Sequence, residues 1–185
     1  ANHGKKGSVH IDIPKCVSYQ PYSPEISIDV KSIKKKKRPP IDLENIKKII
    51  PLINNAEKPI LYVGQGCKEA YEMLRYFAIK ANIPVTTTIH GNGIFDETHP
   101  LSLRWCGMHG YAAANYGLQN ADLIIALGSR FDDRTTGNLD MYAPEAKKAS
   151  SEKRGGIIHV NINKEELDFV VKADYSFNTT CDIFL

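Results

Sequence analysis

The sequence predicts an α/β protein, a doubly wound parallel sheet covered by helices on both faces, and three observations lead there. Short runs of β-forming residues alternate with stretches of ten or so residues whose apolar positions recur at helical spacing. Strand-like runs end in glycine, as Leu61-Tyr62-Val63 does at Gly64-Gln65-Gly66 and as Ala121-Asp122-Leu123-Ile124-Ile125-Ala126-Leu127 does at Gly128. A length of 185 residues suits one domain with a sizeable core and a tail.

From the N-terminus, Val9-His10-Ile11-Asp12-Ile13 alternates apolar and polar residues and is stopped by Pro14, which reads as a short strand. Residues 1–18 are expected to be the remnant of a preceding domain, because the chain starts without Met or the apolar stretch of a secretory signal. Residues 19–40 are polar, basic and proline-bearing and are expected to be a linker. The core domain, residues 41–185, opens with a helix over Ile41–Ile50, its apolar stripe formed by Ile46, Ile49, Ile50 and Ile53 despite Pro51. A strand follows over Pro59–Val63, then a helix over Lys68–Ala81 and a strand over Ile83–Thr87. Tyr111–Gln119 reads as helix, Ala121–Leu127 as strand and Gly156–Ile162 as strand. Strands and helices in that alternation indicate a parallel sheet.

Composition excludes several classes of function. Hydrophobic residues at 42% and charged residues at 24% describe a globular protein, and no apolar run reaches the ~18 residues of a spanning helix. The net charge of +3 is more than covered by Lys34-Lys35-Lys36-Lys37-Arg38 ahead of Pro39-Pro40. Such a block is a solvated linker, and no stacking aromatics accompany it, so nucleic acid is not an expected partner. Cys16, Cys67, Cys106 and Cys181 lie far apart without zinc or dithiol spacing and are expected to be reduced thiols.

The chemistry concentrates in Gly107-Met108-His109-Gly110 and Gly128-Ser129-Arg130-Phe131-Asp132-Asp133-Arg134-Thr135-Thr136-Gly137. Glycine lets backbone approach a ligand at the carboxyl end of a strand, and Arg pairs an oxyanion through parallel hydrogen bonds. Gly64-Gln65-Gly66 offers backbone N–H groups where a helix opens, a place that favours an anion. Each pattern also has a structural reading: a surface cluster of mutually paired Asp and Arg, a tight strand-to-helix turn, a core histidine at His109.

Taken together with Pro84-Val85-Thr86-Thr87-Thr88, these motifs resemble the central domain of the acetohydroxyacid synthase (acetolactate synthase) family, thiamine-diphosphate-dependent enzymes. The resemblance runs in order from about Gly4 to Ile162, and the stretch Ala143-Pro144-Glu145-Ala146 through Gly155-Gly156-Ile157-Ile158-His159 looks most like the fungal form. It implies a Rossmann-like fold that binds FAD, preceded by a pyrimidine-binding domain represented here by residues 1–18. By resemblance the cofactor contacts are Lys5, Gly64, Gly66, Thr88, Ile89, Cys106, Gly107, Met108, His109, Gly128, Arg130, Asp132, Asn161 and Ile162. Lys15, Asp133 and Arg134 would face the substrate channel.

The chain departs from the family pattern at several of these positions. Lys5 stands for a phosphate-contacting Arg, keeping charge without the bidentate fork. His90 stands for Gln, Trp105 and Cys106 for Met and Leu, Asn161 for an acid, and Thr179-Thr180 for Gly-Asp.

The whole enzyme so resembled condenses two 2-ketoacids with loss of carbon dioxide on the way to branched-chain amino acids. Nothing in this chain resembles the motif holding thiamine diphosphate and magnesium, so no catalytic residue and no metal ligand is expected in it, and the isolated chain should be inactive. Expected partners are the remaining domains of the same subunit, further copies of the enzyme and a regulatory subunit, without membrane attachment. Expected localisation is mitochondrial or plastid in a eukaryote, otherwise cytoplasmic. Alternatives are another thiamine-diphosphate enzyme of the glyoxylate carboligase or pyruvate oxidase type, or a cofactor-free regulatory or scaffold domain.

Overall fold

A computed structural model describes residues 7–21 and 41–185, which belong to two units spanning residues 1–38 and 39–185. Lys5 and most of the expected linker, residues 19–40, lie outside the described residues. Among the described residues of the first unit, a one-turn helix forms, α1 (Lys15–Ser18), and it buries nothing. The expected strand at residues 9–13 is absent: Val9, Ile11 and Ile13 are exposed. Alternation creates a strand only where a neighbouring strand takes up the backbone groups, and none pairs with it among the described residues.

The second unit runs α2 (Leu43–Asn55), β1 (Pro59–Val63), a 3-10 turn at Gln65–Ala70, α3 (Tyr71–Ala81), β2 (Val85–Thr87), β3 (Ser102–Trp105), α4 (Ala112–Asn120) and β4 (Leu123–Leu127). It continues with α5 (Asp133–Thr136), α6 (Pro144–Ser151), β5 (Gly156–Val160), β6 (Tyr175–Phe177) and α7 (Cys181–Phe184). The strands form one sheet in the order β3-β2-β1-β4-β5-β6, and every pairing is parallel.

Period-2 alternation sends each central strand's side chains to two cores. Leu61, Val63, Leu123, Ile125, Leu127, Ile158 and Val160 pack with Ile49 of α2, Leu74 and Ala78 of α3, and Phe184 of α7. Ile60, Tyr62, Ile124, Ala126 and Ile157 pack with Ala114 and Leu118 of α4 and Ala146 of α6. Helices therefore cover both faces, as expected. Each helix has a local cause: the Asp42 carboxylate caps α2 through Glu44 N and Asn45 N, and Asn82 ends α3 at φ 53°. Pro144 at the first turn starts α6.

The free thiols Cys67 and Cys181 share the first core. Their mutual hydrogen bond, followed by burial, holds the Cys181 thiol far above the usual range.

Asp122 ties the amino end of the sheet together. Its buried carboxylate accepts from Glu57 N at 2.8 Å and Lys58 N at 2.9 Å, and Arg154 Nη1 stands 3.5 Å away. Substituting Asp122→Ala removes both charge-assisted bonds, and a loss of about 2–3 kcal/mol is expected in urea unfolding. An unchanged midpoint and slope would mean that water serves those two N–H groups equally well.

Candidate functional site

A strand order of 3-2-1-4-5-6 reverses direction between β1 and β4, and a parallel sheet opens a crevice at that point, outside its carboxyl ends. The Gly64–Gly66 turn and the Gly128 turn meet there. A Cβ built on Gly128, whose φ is +61°, would stand 2.5 Å from Gly66 Cα and 2.7 Å from Cys67 N, and one on Gly66 would stand 2.8 Å from Gly128 Cα. Only glycine allows this backbone contact. The contact also spends the donors expected to face an anion, since Gly64 N donates to Leu127 O at 2.8 Å and Gly66 N to Gly128 O at 3.1 Å. These two N–H groups are structural, because the neighbouring turn approaches closely enough to take them.

Beyond Gly128 the chain is anchored by Phe131, 1% exposed and at φ 55°. Its ring packs on Tyr62 at 5.3 Å, Tyr142 at 6.1 Å and His159 at 4.9 Å between centroids. With Phe131 turned inward in a left-handed conformation that bulky residues avoid, Arg130 on one side and Asp133 and Arg134 on the other are left exposed. Asp132 O accepts from Thr135 N and Thr136 N, which starts the single turn of α5.

The two motif loops come together. Met108 N donates to Arg134 O at 2.7 Å, and Gly107, at φ +110°, packs against the same carbonyl, which a Cβ would approach to 2.9 Å. Asn115 on α4 clips the loop in place, its Oδ1 accepting from Gly107 N at 2.8 Å and its Nδ2 donating to Gly107 O at 2.9 Å. Met108 and His109 are exposed on this clipped loop, so His109 is not a core histidine. Arg134 Nη1 lies 4.0 Å from Met108 Sδ. Its Nε is 4.0 Å from Asp133 Oδ2, with both side chains largely solvated, a pair that contributes little. Arg130 forms no ion pair among the described residues.

Of the other expected contacts, Ile89 and Ile162 are exposed beside the strand ends, while Gly64, Thr88, Cys106, Gly107 and Asn161 are buried. Thr88 N is engaged by Val63 O at 2.8 Å. Asn161 faces inward: its Nδ2 donates to Ser129 O at 2.9 Å and its Oδ1 accepts from Asn163 N at 2.9 Å. Lys15, in the first unit, is exposed with its amine 5.6 Å from the Tyr19 ring centroid.

Sequence reasoning missed the layer beneath the loop. Ser129 O also takes His159 Nε2 at 3.0 Å; a carbonyl only accepts, so Nε2 carries the proton. Burial first holds the His159 ring below its ordinary pKa, against the Ser129 hydrogen bond. Burial pushes the Cys106 thiol up to about 11 and the Tyr62 and Tyr142 hydroxyls well above their ordinary range. Among the described residues, Tyr142 Oη and His159 Nδ1 are buried without a hydrogen-bond partner. No local pattern flags this layer, whose members come from β1, from β5 and from the loops after β3, after β4 and before α6.

The pH dependence follows in sign. Above about pH 8.5 the unfolded chain loses its thiol proton while folded Cys106 keeps it, so stability falls as pH rises toward 11, by about 2–3 kcal/mol from this group alone. His159, neutral in the fold, contributes stability above about pH 6.5 that declines as pH falls below it. Urea unfolding at pH 5, 7.5 and 10.5 should therefore peak in the middle, with a shallower alkaline fall in Cys106→Ala. An alkaline slope unchanged by that substitution would contradict the assignment.

Among the described residues no group of three or more His, Cys, Asp or Glu is placed to hold a metal ion, and no helix is long and apolar enough to cross a membrane.

Comparison with known proteins places this geometry in a family. The thiamine pyrophosphate enzyme central domain matches residues 46–185. The mitochondrial acetolactate synthase catalytic subunit of Saccharomyces cerevisiae is 41% identical over 183 residues, covering 94% of this chain and 27% of the relative. The mitochondrial acetolactate synthase of Schizosaccharomyces pombe is 39% identical, covering 93% and 27%. The acetolactate synthase isozyme 1 large subunit of Escherichia coli is 41% identical, covering 98% and 30%. The chain thus spans between a quarter and a third of the length of these relatives. With its sheet order, its crevice and a match over most of its length in agreement, this chain belongs to the family of thiamine pyrophosphate enzyme central domains.

Proposed function

We propose that the chain is the central domain of an acetolactate synthase catalytic subunit and that it holds FAD across the carboxyl ends of its strands. The observation that carries this is the joining of the Gly107–Gly110 loop to the Arg130–Arg134 loop at the carboxyl end of the sheet, with Arg130 exposed and in no ion pair among the described residues. An unpaired guanidinium at a strand end fits a phosphate group. The full-length enzyme then joins two 2-ketoacids with loss of carbon dioxide. Thiamine diphosphate, bound with magnesium, supplies the carbon–carbon bond chemistry through residues outside this chain, and FAD serves a positional role.

This chain's own residues bind and orient. Arg130 meets the nucleotide phosphate, Met108 and His109 lie along the flavin, and Asp133 and Arg134 face the channel, with Arg134 receiving the ketoacid carboxylate. Asn161 fixes the Ser129 carbonyl rather than offering a charged acceptor to the ribose. The other domains of the subunit, further copies and a regulatory subunit are the proposed partners, and the proposed compartment is the mitochondrion or plastid of a eukaryote.

The inward use of Asn161 and of the Gly64 and Gly66 N–H groups favours one other reading, a scaffold domain that binds no flavin. Titration with FAD separates the two. Under the first, Arg130→Ala binds FAD about tenfold or more weakly, the equivalent of roughly 1.5–3 kcal/mol; under the second, neither protein binds it. In the full-length enzyme, Arg134→Ala is expected to raise the ketoacid KM with flavin content unchanged. Normal KM in that variant would return Arg134 to a surface pair with Asp133.

A further inference from the structure

Of the chain's asparagines only Asn92 is followed by glycine. Gly91-Asn92-Gly93-Ile94 makes a tight turn after β2: Asn92 sits at φ -55° and ψ 137°, Gly93 at φ +81°, and Ile94 N donates to Gly91 O at 3.1 Å. These angles match a type II turn, whose third residue takes a positive φ. Asn92 and Gly93 are both exposed, and a Cβ on Gly93 would meet nothing within 4 Å. Gly93 N makes no backbone hydrogen bond among the described residues.

The side chain is held from the strand end, where Thr87 Oγ1 donates to Asn92 Oδ1 at 2.9 Å. A flip of the peptide between Asn92 and Gly93 changes ψ of the first and φ of the second together, and glycine accepts φ of either sign. The flip carries Gly93 N toward Asn92 Cγ. Attack within one chain, closing a five-membered ring, has the advantage of proximity. Negative charge building on Oδ1 during that attack meets a donor already in place on Thr87.

We propose that Asn92 is a site of spontaneous self-modification, deamidating through a cyclic imide with Gly93. A bond forms between Gly93 N and Asn92 Cγ, the Cγ–NH₂ bond breaks, and ammonia leaves with the proton that Gly93 N gave up. Solvent water then opens the imide, at the side-chain carbonyl to give aspartate or at the main-chain carbonyl to give isoaspartate. The net exchange is one water taken up for one ammonia released. Either product adds a negative charge to the turn, and isoaspartate also adds a methylene to the main chain between Gly91 O and Ile94 N.

Incubation of the folded chain at 37 °C, followed by peptide mapping with mass spectrometry and isoaspartate labelling, tests it. The peptide containing Asn92 should convert to the acid forms, while the peptide containing Asn138, which is exposed but followed by Leu139, stays unchanged. Conversion should be faster at pH 8.5 than at pH 7, because the attacking nitrogen must lose its proton. Gly93→Ala, whose methyl hinders both the flip and the attack, should slow it at least fivefold. Thr87→Val, which keeps the β-branched shape without the donor, should slow it at least twofold, with melting curves confirming that both variants are folded at that temperature. A free peptide of residues 88–96 is the reference. Folded chain that leaves Asn92 intact while this peptide converts, equal conversion at Asn138, or an unchanged rate in Gly93→Ala would each overturn the proposal, and an unchanged rate in Thr87→Val would overturn the part given to Thr87.

Discussion

Gly128→Ala is expected to remove on the order of 3–5 kcal/mol of stability, a large part of what a domain of this size has. Two costs add. The backbone sits at φ +61°, where an L side chain costs roughly 1–2 kcal/mol. The new methyl would also stand 2.5–2.7 Å from Gly66 Cα, Gly66 C and Cys67 N, backbone atoms of the turn that links β1 to α3. Flexible side chains could swing away, but a hydrogen-bonded turn cannot move without losing Gly66 N to Gly128 O and Gly64 N to Leu127 O. Gly93→Ala is the control: it shares a positive φ of 81° but meets open space, so it should lose only about 1–2 kcal/mol. Urea unfolding of the two variants beside the parent decides the matter, and equal losses would mean that strain alone governs Gly128.

Phe131→Ala is the second large effect, about 3–5 kcal/mol for a fully buried aromatic whose cavity cannot collapse. The site explains why it reaches further than stability. Phe131 is the only residue between Arg130 and Asp132, and its ring among Tyr62, Tyr142 and His159 is what turns the flanking charges outward. Limited proteolysis of the variant, at a temperature where it is still folded, should cut within residues 128–137 faster than in the parent. A destabilised variant with an equally protected loop would show that the loop is held by Met108 N and α5 without the ring.

Which elements were legible follows from where their side chains go. β1, β4 and β5 are buried on both faces, so Ile60–Val63, Leu123–Leu127 and Ile157–Val160 carry the dense apolar signal of central strands. β3 and β6 lie at the sheet edges, and Ser102-Leu103-Arg104-Trp105 and Tyr175-Ser176-Phe177 are short and partly exposed. β3 also pairs through a register shift with Arg104 at φ 62°, which no alternation rule foresees. Helix α6 escaped because it packs through Ala146 and Ala149, whose small side chains leave no apolar stripe. Residues 9–13 differ the other way, offering strand periodicity while no strand among the described residues pairs with them.

At the candidate site, residue types were legible but not the donors' destinations. Gly107, Gly128, Arg130 and Arg134 could be picked out from spacing. That Gly64 and Gly66 N–H groups are taken by the β4 turn depends on a contact between residues some sixty positions apart. Likewise Asn161 could be read as facing a ligand or the core, and only the position of Ser129 O decides it.

The strand order also governs the sequence of events in folding. β1 with β2, and β4 with β5, can pair soon after each is made, because a single short crossover joins them. Joining these halves requires residues 59 and 123 to meet, the long loop closure that slows parallel sheets. The crevice between the glycine turns exists only after that late step. A half-assembled chain therefore has two exposed strand edges and no place for a nucleotide, and a ligand that binds there can select only the completed molecule.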